Sequence, residues 1–217
     1  FQSAYRPGHS TETALLKAVN DLLSALDEGK FLVLVLLDLS AAFDTIDHDI
    51  LLHRLHHVFG IQDTALSWFR SYLTNRFQMV SIKGTLSDPV ELCYGVPQGS
   101  VLGPILFILY MQPLSHVILN HPVSHMLYAD DTQVYKSCNA NDLPSTILCV
   151  EKCVSDIKTW MLSNKLQMNE DKTEVLLVTP KRVAKSEPFP EFMNINGTSV
   201  KFCPSLRNLG NTLDNTL

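Results

Sequence analysis

Met126-Leu127-Tyr128-Ala129-Asp130-Asp131-Thr132-Gln133-Val134-Tyr135 is the stretch that decides how this chain folds. Two apolar, strand-like flanks close on a tight turn carrying two adjacent carboxylates. Neighbouring negative charges repel and raise each other's pKa, so a fold keeps them together most readily around a cation. The pattern predicts a hairpin with a divalent-metal site at its tip. Hard carboxylate oxygens favour Mg²⁺, with Mn²⁺ as an alternative, over zinc.

A third carboxylate comes from upstream. Phe31 to Leu37 (FLVLVLL) is a β-branched and leucine-rich run of strand length, and Asp38 closes it. An ionised carboxylate at the end of a buried strand is costly unless it is paired or bound to a metal. Asp38, Asp130 and Asp131 together predict a cradle for two Mg²⁺ ions ~4 Å apart, an arrangement that serves in-line phosphoryl transfer.

Around these residues the chain resembles the reverse transcriptase domain of non-LTR (LINE-type) retrotransposons. The motifs run in the family's order over nearly the whole length: QSAYRPGHST (Gln2 to Thr11), LLDLSAAFDTIDH (Leu36 to His48), GVPQGSVLGPILF (Gly95 to Phe107), YADD (Tyr128 to Asp131), WMLSNKLQMNEDKTEVLLV (Trp160 to Val178) and LRNLGNTLD (Leu206 to Asp214). YADD alone is a weak signal; six motifs in order are a specific one. The resemblance implies an α+β polymerase palm, an antiparallel sheet covered on one face by helices, with part of the fingers and no thumb. On that reading 1–30 is a fingers remnant, 31–180 is mainly palm with inserted fingers elements, and 190–217 is the end of the palm with the primer-grip region.

The same resemblance assigns roles. Asp38 and Asp130 are the bridging metal ligands and Asp131 the less directly committed one. One ion activates the primer 3′-hydroxyl while the other holds the triphosphate. Lys172 is the proton donor to pyrophosphate. Arg6, a fork of donors suited to phosphate oxygens, lies over the triphosphate. Phe43 stands against the sugar of the incoming nucleotide and excludes a 2′-hydroxyl. Gln98 and Gly99 contact nucleotide and template, and Leu209 and Gly210 form the primer grip. The implied activity is RNA-directed DNA polymerisation with dNTPs, an RNA template and a DNA primer as partners. A telomerase-like or intron-maturase polymerase is the rival of the same chemistry; a catalytically degenerate RNA- or protein-binding remnant is the rival of another class.

Composition agrees with a folded domain. The chain has 217 residues, 46% hydrophobic and 18% charged, enough for one sizeable core and too apolar for disorder throughout. Its net charge of −5 is unusual for a nucleic-acid binder, but carboxylates gathered for a metal account for part of it. Lys181, Arg182 and Lys185 form a modest basic cluster, read as a solvated loop first and a template contact second. Five cysteines, odd in number and without a CxxC pair, fit reduced thiols in an intracellular protein of nucleus or cytoplasm. No signal peptide or membrane span is expected, and a first residue of Phe1 argues for a fragment. His53, His56 and His57 read as polar-face helix residues, and Asp44, Asp47 and Asp49 as cap and helix-start charges. The strings GxSxG, GxGxxG and the Walker loop are missing from the sequence, so hydrolase and dinucleotide readings lack their starting residues.

Helical spacing predicts a helix after Ser10 with Leu15, Leu16, Val19, Leu22, Leu23 and Leu26 inward, and others from Asp47, from Asp63 to Leu73, from Pro104 and from Pro144. Short strands are expected over 77–82 and 89–92, and another over 173–178. The charged, proline-rich run 181–190 is the best candidate for a flexible connection.

Overall fold

A computed structural model of the chain describes residues 2–180 and 189–215; the Lys181, Arg182 and Lys185 cluster lies outside them. The elements run α1 (Thr11–Asp27), β1 (Phe31–Ser40), α2 (His48–His57), α3 (Asp63–Leu73), β2 (Phe77–Gln78), β3 (Ser81–Ile82), β4 (Thr85–Leu86), β5 (Val90–Glu91), α4 (Leu102–Met111), α5 (Leu114–Leu119), β6 (Ser124–Tyr128), β7 (Asp131–Cys138), α6 (Leu143–Ser163), β8 (Gln167–Val178), β9 (Phe192–Ile195), β10 (Thr198–Lys201), β11 (Ser205–Asn208) and β12 (Asn211–Asp214).

The apolar run at Phe31 becomes the centre of the molecule because it is apolar on both faces. It pairs antiparallel with β7 on one side and β8 on the other, giving a sheet of order β6-β7-β1-β8. Odd-numbered Phe31, Val33, Val35, Leu37 and Leu39 enter the main core with α2, α4, α5 and α6. Even-numbered Leu32 and Leu34 enter a second cluster with Leu22 and Ala25 of α1 and with Leu206 and Leu213 of the β11–β12 hairpin. The sheet is therefore covered on both faces, not one, because a strand buried on both sides needs a partner for each.

Most helix boundaries follow the sequence signals. Ser10 caps α1 in a reciprocal pair with Thr13, Asp47 caps α2 by accepting from the Ile50 N–H at 3.0 Å, and α3 begins and ends where the spacing places it. The stripe Ile147, Val150, Val154, Ile157 and Met161 of α6 is buried throughout. In α1, however, the buried face is Ala14, Ala18, Leu22 and Ala25, whereas Leu16 and Leu23 are exposed. Small residues let the helix approach the sheet closely, and that choice of face is invisible to a count of leucines. The expected strand at 77–82 is split into β2 and β3, and these with β4 and β5 form a narrow ribbon whose residues are all exposed.

The window Leu102–Leu119 is long and apolar enough to cross a membrane by composition. In the fold Gln112 and Pro113 divide it into α4 and α5, and Leu106, Phe107, Tyr110, Leu114 and Ile118 lie in the main core. Its neighbour α2 is fastened there by Arg54, a buried cation with no ion pair to a carboxylate among the described residues. The guanidinium donates to the Tyr110 carbonyl and to Asn164 Oδ1, and stands 4.5 Å over the Tyr110 ring. Desolvation pushes its pKa down, and the neutral acceptors and ring supply what an ion partner otherwise would.

Candidate active site

The acidic turn arises from strand register. In β6–β7 the last pair is Tyr128 with Asp131, which leaves Ala129 and Asp130 as a two-residue turn. In β1–β7 the last pair is Leu37 with Thr132, so Asp38 and Asp131 are the next residues on adjacent strands. Alternation then decides the face. Asp38 follows Leu32, Leu34 and Leu36, while Asp131 precedes Gln133 and Tyr135, so both carboxylates project to the side covered by α1 and β11–β12.

The partner strand β8 is irregular at the same level. Between the pairs Leu36–Glu174 and Asp38–Asn169, β1 advances by Leu37 alone whereas β8 inserts residues 170–173. Thr173 Oγ1 donates to the Asn169 carbonyl at 3.1 Å and closes this bulge. Bulges redirect side chains beside functional sites. Here the bulge sends Lys172 to Asp38, with Nζ 3.4 Å from Oδ2. The two are close enough to attract, yet Asp38 Oδ2 is a buried oxygen with no hydrogen-bond partner. Lys172 is 70% exposed, so this pair contributes little to stability.

Leu36, Leu37, Asp38, Asp131, Asp171, Lys172, Glu174 and Arg207 line an open cleft of ≈ 410 Å³. Asp131 is an exposed residue at the rim of this cleft. Desolvation there, then the charges of Asp130 and Asp38, push its pKa up to about 6. Among the described residues no three or more His, Cys, Asp or Glu side chains gather into a ready metal cage. The donor chemistry still fits a hard divalent cation. The available groups are carboxylate oxygens, one of them buried without a hydrogen bond, and a cation between Asp38 and Asp131 would supply that oxygen's missing contact and relieve the crowding.

The remaining candidates are not among the residues that line this cleft. Phe43 is half-buried, its ring stacked on Phe107 at 4.8 Å, and its carbonyl accepts from the Val96 N–H at 3.0 Å. That bond docks the Gly95–Gly99 loop onto the Ala41–Asp44 turn. Gly95 carries φ 81°, and a Cβ there would meet the Asp44 backbone at 3.0 Å, so only glycine fits. Gln98 is exposed and donates from Nε2 to Asp44 Oδ1 at 2.8 Å; Gly99 is exposed at φ 77°. Arg6 is exposed and donates from Nη1 to the Gln2 carbonyl at 3.2 Å. Leu209 and Gly210, at φ 45° and 91°, form the turn of β11–β12.

Sequence reasoning did not single out Asp171, Glu174 or Arg207. Glu174 was legible as the even-numbered, cleft-side residue of β8, but Asp171 depends on the bulge and Arg207 on how a distant hairpin docks. That docking is a buried reciprocal amide pair: Gln133 Nε2 donates to Asn208 Oδ1 at 2.7 Å and Asn208 Nδ2 to Gln133 Oε1 at 2.9 Å. Asp44, read as a helix-start charge, holds Gln98 instead. On the polar face of α2 the His57 ring is tilted against His53 and meets His56 edge-on, each at 4.3 Å.

A four-stranded antiparallel sheet whose central strand, continuing past Asp38 to Ser40, sets that aspartate beside an acidic hairpin turn is the architecture of a polymerase palm. The chain belongs to the reverse transcriptase (RNA-dependent DNA polymerase) family, whose model matches residues 1–209. It is 28% identical over its full length to a probable RNA-directed DNA polymerase from transposon BS of Drosophila melanogaster, and 28% identical to the RNA-directed DNA polymerase from mobile element jockey of the same fly. It spans 24% and 23% of those two proteins. Among solved structures it is similar to apo telomerase from Candida tropicalis truncated from the C-terminal domain, with TM-score 0.59 and 16% identity over 98% of this chain and 41% of that one. Telomerase from Candida albicans in complex with a fragment of telomeric RNA gives TM-score 0.60 and 17% identity over 95% of this chain and 35% of that one.

Proposed function

We propose that this chain is the catalytic portion of a retrotransposon RNA-directed DNA polymerase, joining dNTPs to the 3′-hydroxyl of a DNA primer on an RNA template. The single observation that carries the reading is the convergence of Asp38, Asp131 and Lys172 on one cleft, with Asp130 next in the turn, in a chain of this family. Two Mg²⁺ ions held by Asp38, Asp130 and Asp131, or Mn²⁺ in their place, would supply charge neutralisation at the transferring phosphorus.

The chain's own residues do the rest. Lys172, exposed and tethered only loosely to Asp38, can swing to a departing pyrophosphate and give it a proton. Phe43, braced from behind by Phe107, presents a ring that cannot yield to a ribose 2′-hydroxyl. Gln98, aligned by Asp44, and Gly99 supply a loop surface for nucleotide and template, with Arg6 as the phosphate contact. Leu209 and Gly210 form the tip that meets the primer. Residues 1–30 and the ribbon of β2 to β5 serve as fingers, and 31–180 otherwise as palm.

Primer extension on poly-rA/oligo-dT with Mg²⁺ tests the proposal. Extension by the chain, reduced at least ~100-fold in Asp130→Asn, is the expected result. A parent polypeptide carrying this segment that binds RNA but extends nothing, with Asp130→Asn indistinguishable from it, overturns the reading in favour of a degenerate binding remnant.

A further inference from the structure

The turn carrying Asp130 is held by a residue that is 127 positions away in sequence and has no part in the chemistry above. Ala129 sits at φ 53°, in the left-handed region where a Cβ costs about 1–2 kcal/mol. Two-residue hairpin turns that need this conformation usually place glycine, asparagine or aspartate there. This chain keeps alanine, and one side chain captures both of its backbone polar groups. Gln2 Oε1 accepts from the Ala129 N–H at 3.0 Å, and Gln2 Nε2 donates to the Ala129 carbonyl at 3.3 Å.

The clamp is itself anchored. Oε1 also accepts from the Ala4 N–H at 2.9 Å, which fixes the amide's orientation, since a flipped amide would set donor against donor at two places. The Gln2 backbone forms a parallel bridge with Leu127, the Ser3 N–H donates to the Leu127 carbonyl at 2.9 Å, and the Arg6 guanidinium holds the Gln2 carbonyl. A short segment thus adds to the outer edge of β6 and delivers one amide to the turn. Tyr128 and Asp131 are the last pair of the ladder, so Ala129 has no strand partner of its own there. Without Gln2 its polar groups would turn to water, and two adjacent carboxylates would push the released turn apart.

We propose that Gln2 is a positioning residue for the acidic turn: it holds Ala129 in the left-handed conformation and thereby sets how Asp130 and Asp131 are presented to a divalent cation. Gln2 touches only backbone of that turn and ligates nothing. The proposal rests on the reading of these aspartates as metal ligands.

Amide exchange and Mn²⁺ titration test it together on the intact chain. Gln2→Met keeps the shape of the side chain and removes all three of its hydrogen bonds, and Gln2→Ala removes the packing as well. In both, exchange at the Ala129 amide should rise by about tenfold while Val134, inside β7, stays as protected as before. Mn²⁺ affinity should fall about tenfold, as for other groups that orient metal ligands without touching the metal. In primer extension kcat should fall with the dNTP KM unchanged. Gln2→Glu, which keeps the acceptor for the Ala129 N–H, should retain protection at that amide.

Three results overturn the proposal in distinguishable ways. Unchanged Ala129 exchange in Gln2→Met means the amide does not hold the turn. Raised exchange with unchanged Mn²⁺ affinity, in a chain where Asp130→Asn abolishes Mn²⁺ binding, means the turn's conformation does not govern the ligands. Mn²⁺ affinity indifferent to Asp130→Asn removes the metal-ligand reading itself, whatever the exchange shows. Should Val134 lose protection along with Ala129 in Gln2→Ala, the comparison is made on Gln2→Met alone.

Discussion

Two hairpin turns near the cleft face the same backbone problem and solve it differently. The β6–β7 turn places Ala129 at φ 53°, and the β11–β12 turn places Leu209 at φ 45°. In the second, Gly210 follows at φ 91°, so half of the left-handed conformation falls on a residue with no Cβ to oppose it. That hairpin is then docked by the Gln133–Asn208 amide pair and by Leu206 and Leu213 in the second core. The first turn has no glycine and two like charges, and depends on Gln2 from outside. A turn whose conformation is written locally tolerates change around it; a turn held from a distance places its side chains more strictly but is exposed to loss of a single contact.

Breaking the second turn's docking should have the largest effect on stability. Asn208→Leu leaves the Gln133 amide buried at 1% exposure without its partner, at a cost of about 1–3 kcal/mol in denaturant unfolding. The double variant Gln133→Leu with Asn208→Leu should cost less than the two single changes added, because no orphaned amide remains. Full additivity would mean that the pair does not act as a unit.

The turns themselves sharpen the contrast. Gly210→Ala must place a Cβ at φ 91° and should lose about 1–2 kcal/mol. Ala129→Gly should move the other way or not at all, by less than about 1 kcal/mol, because relief of strain is offset by the entropy of a freer unfolded chain. Thermal unfolding of the two variants side by side checks both signs.

The smallest effect is a pH dependence confined to the acidic turn. The Asp131 carboxyl is pushed up to about 6, above its unfolded value near ~4, so the folded chain holds that proton more tightly. This contribution to stability is fully present below about pH 4 and is lost as pH rises through about 6. Asp131→Asn should flatten that part of the stability profile. Mg²⁺ should raise the melting temperature of the parent chain above this window and lose that effect below it, where the proton competes with the metal. A Mg²⁺ effect equal at about pH 4 and about pH 7.5 would separate metal binding from Asp131.

Much of this was legible in the chain because it follows local rules. The apolar run ending in Asp38, the YADD turn and the caps at Ser10 and Asp47 each state their own structure, since period, turn length and capping act over a few residues. The buried face of α1 was not, because alanine and leucine compete for it and only the distance of approach to the sheet decides between them. Nor were the roles of Asp44 and Arg207, whose neighbours come from other loops.

The sequence by itself determined the palm class and the family, because six motifs in order leave little else to build, and it singled out Asp38, Asp130 and Asp131 as candidates. The tertiary structure alone decided that Asp38 and Asp131 share a face, that a bulge in β8 carries Lys172 to them, and that Gln2 holds the turn. Register, bulge and long-range clamp depend on which strands meet and at what offset, and no window of neighbouring residues contains that information.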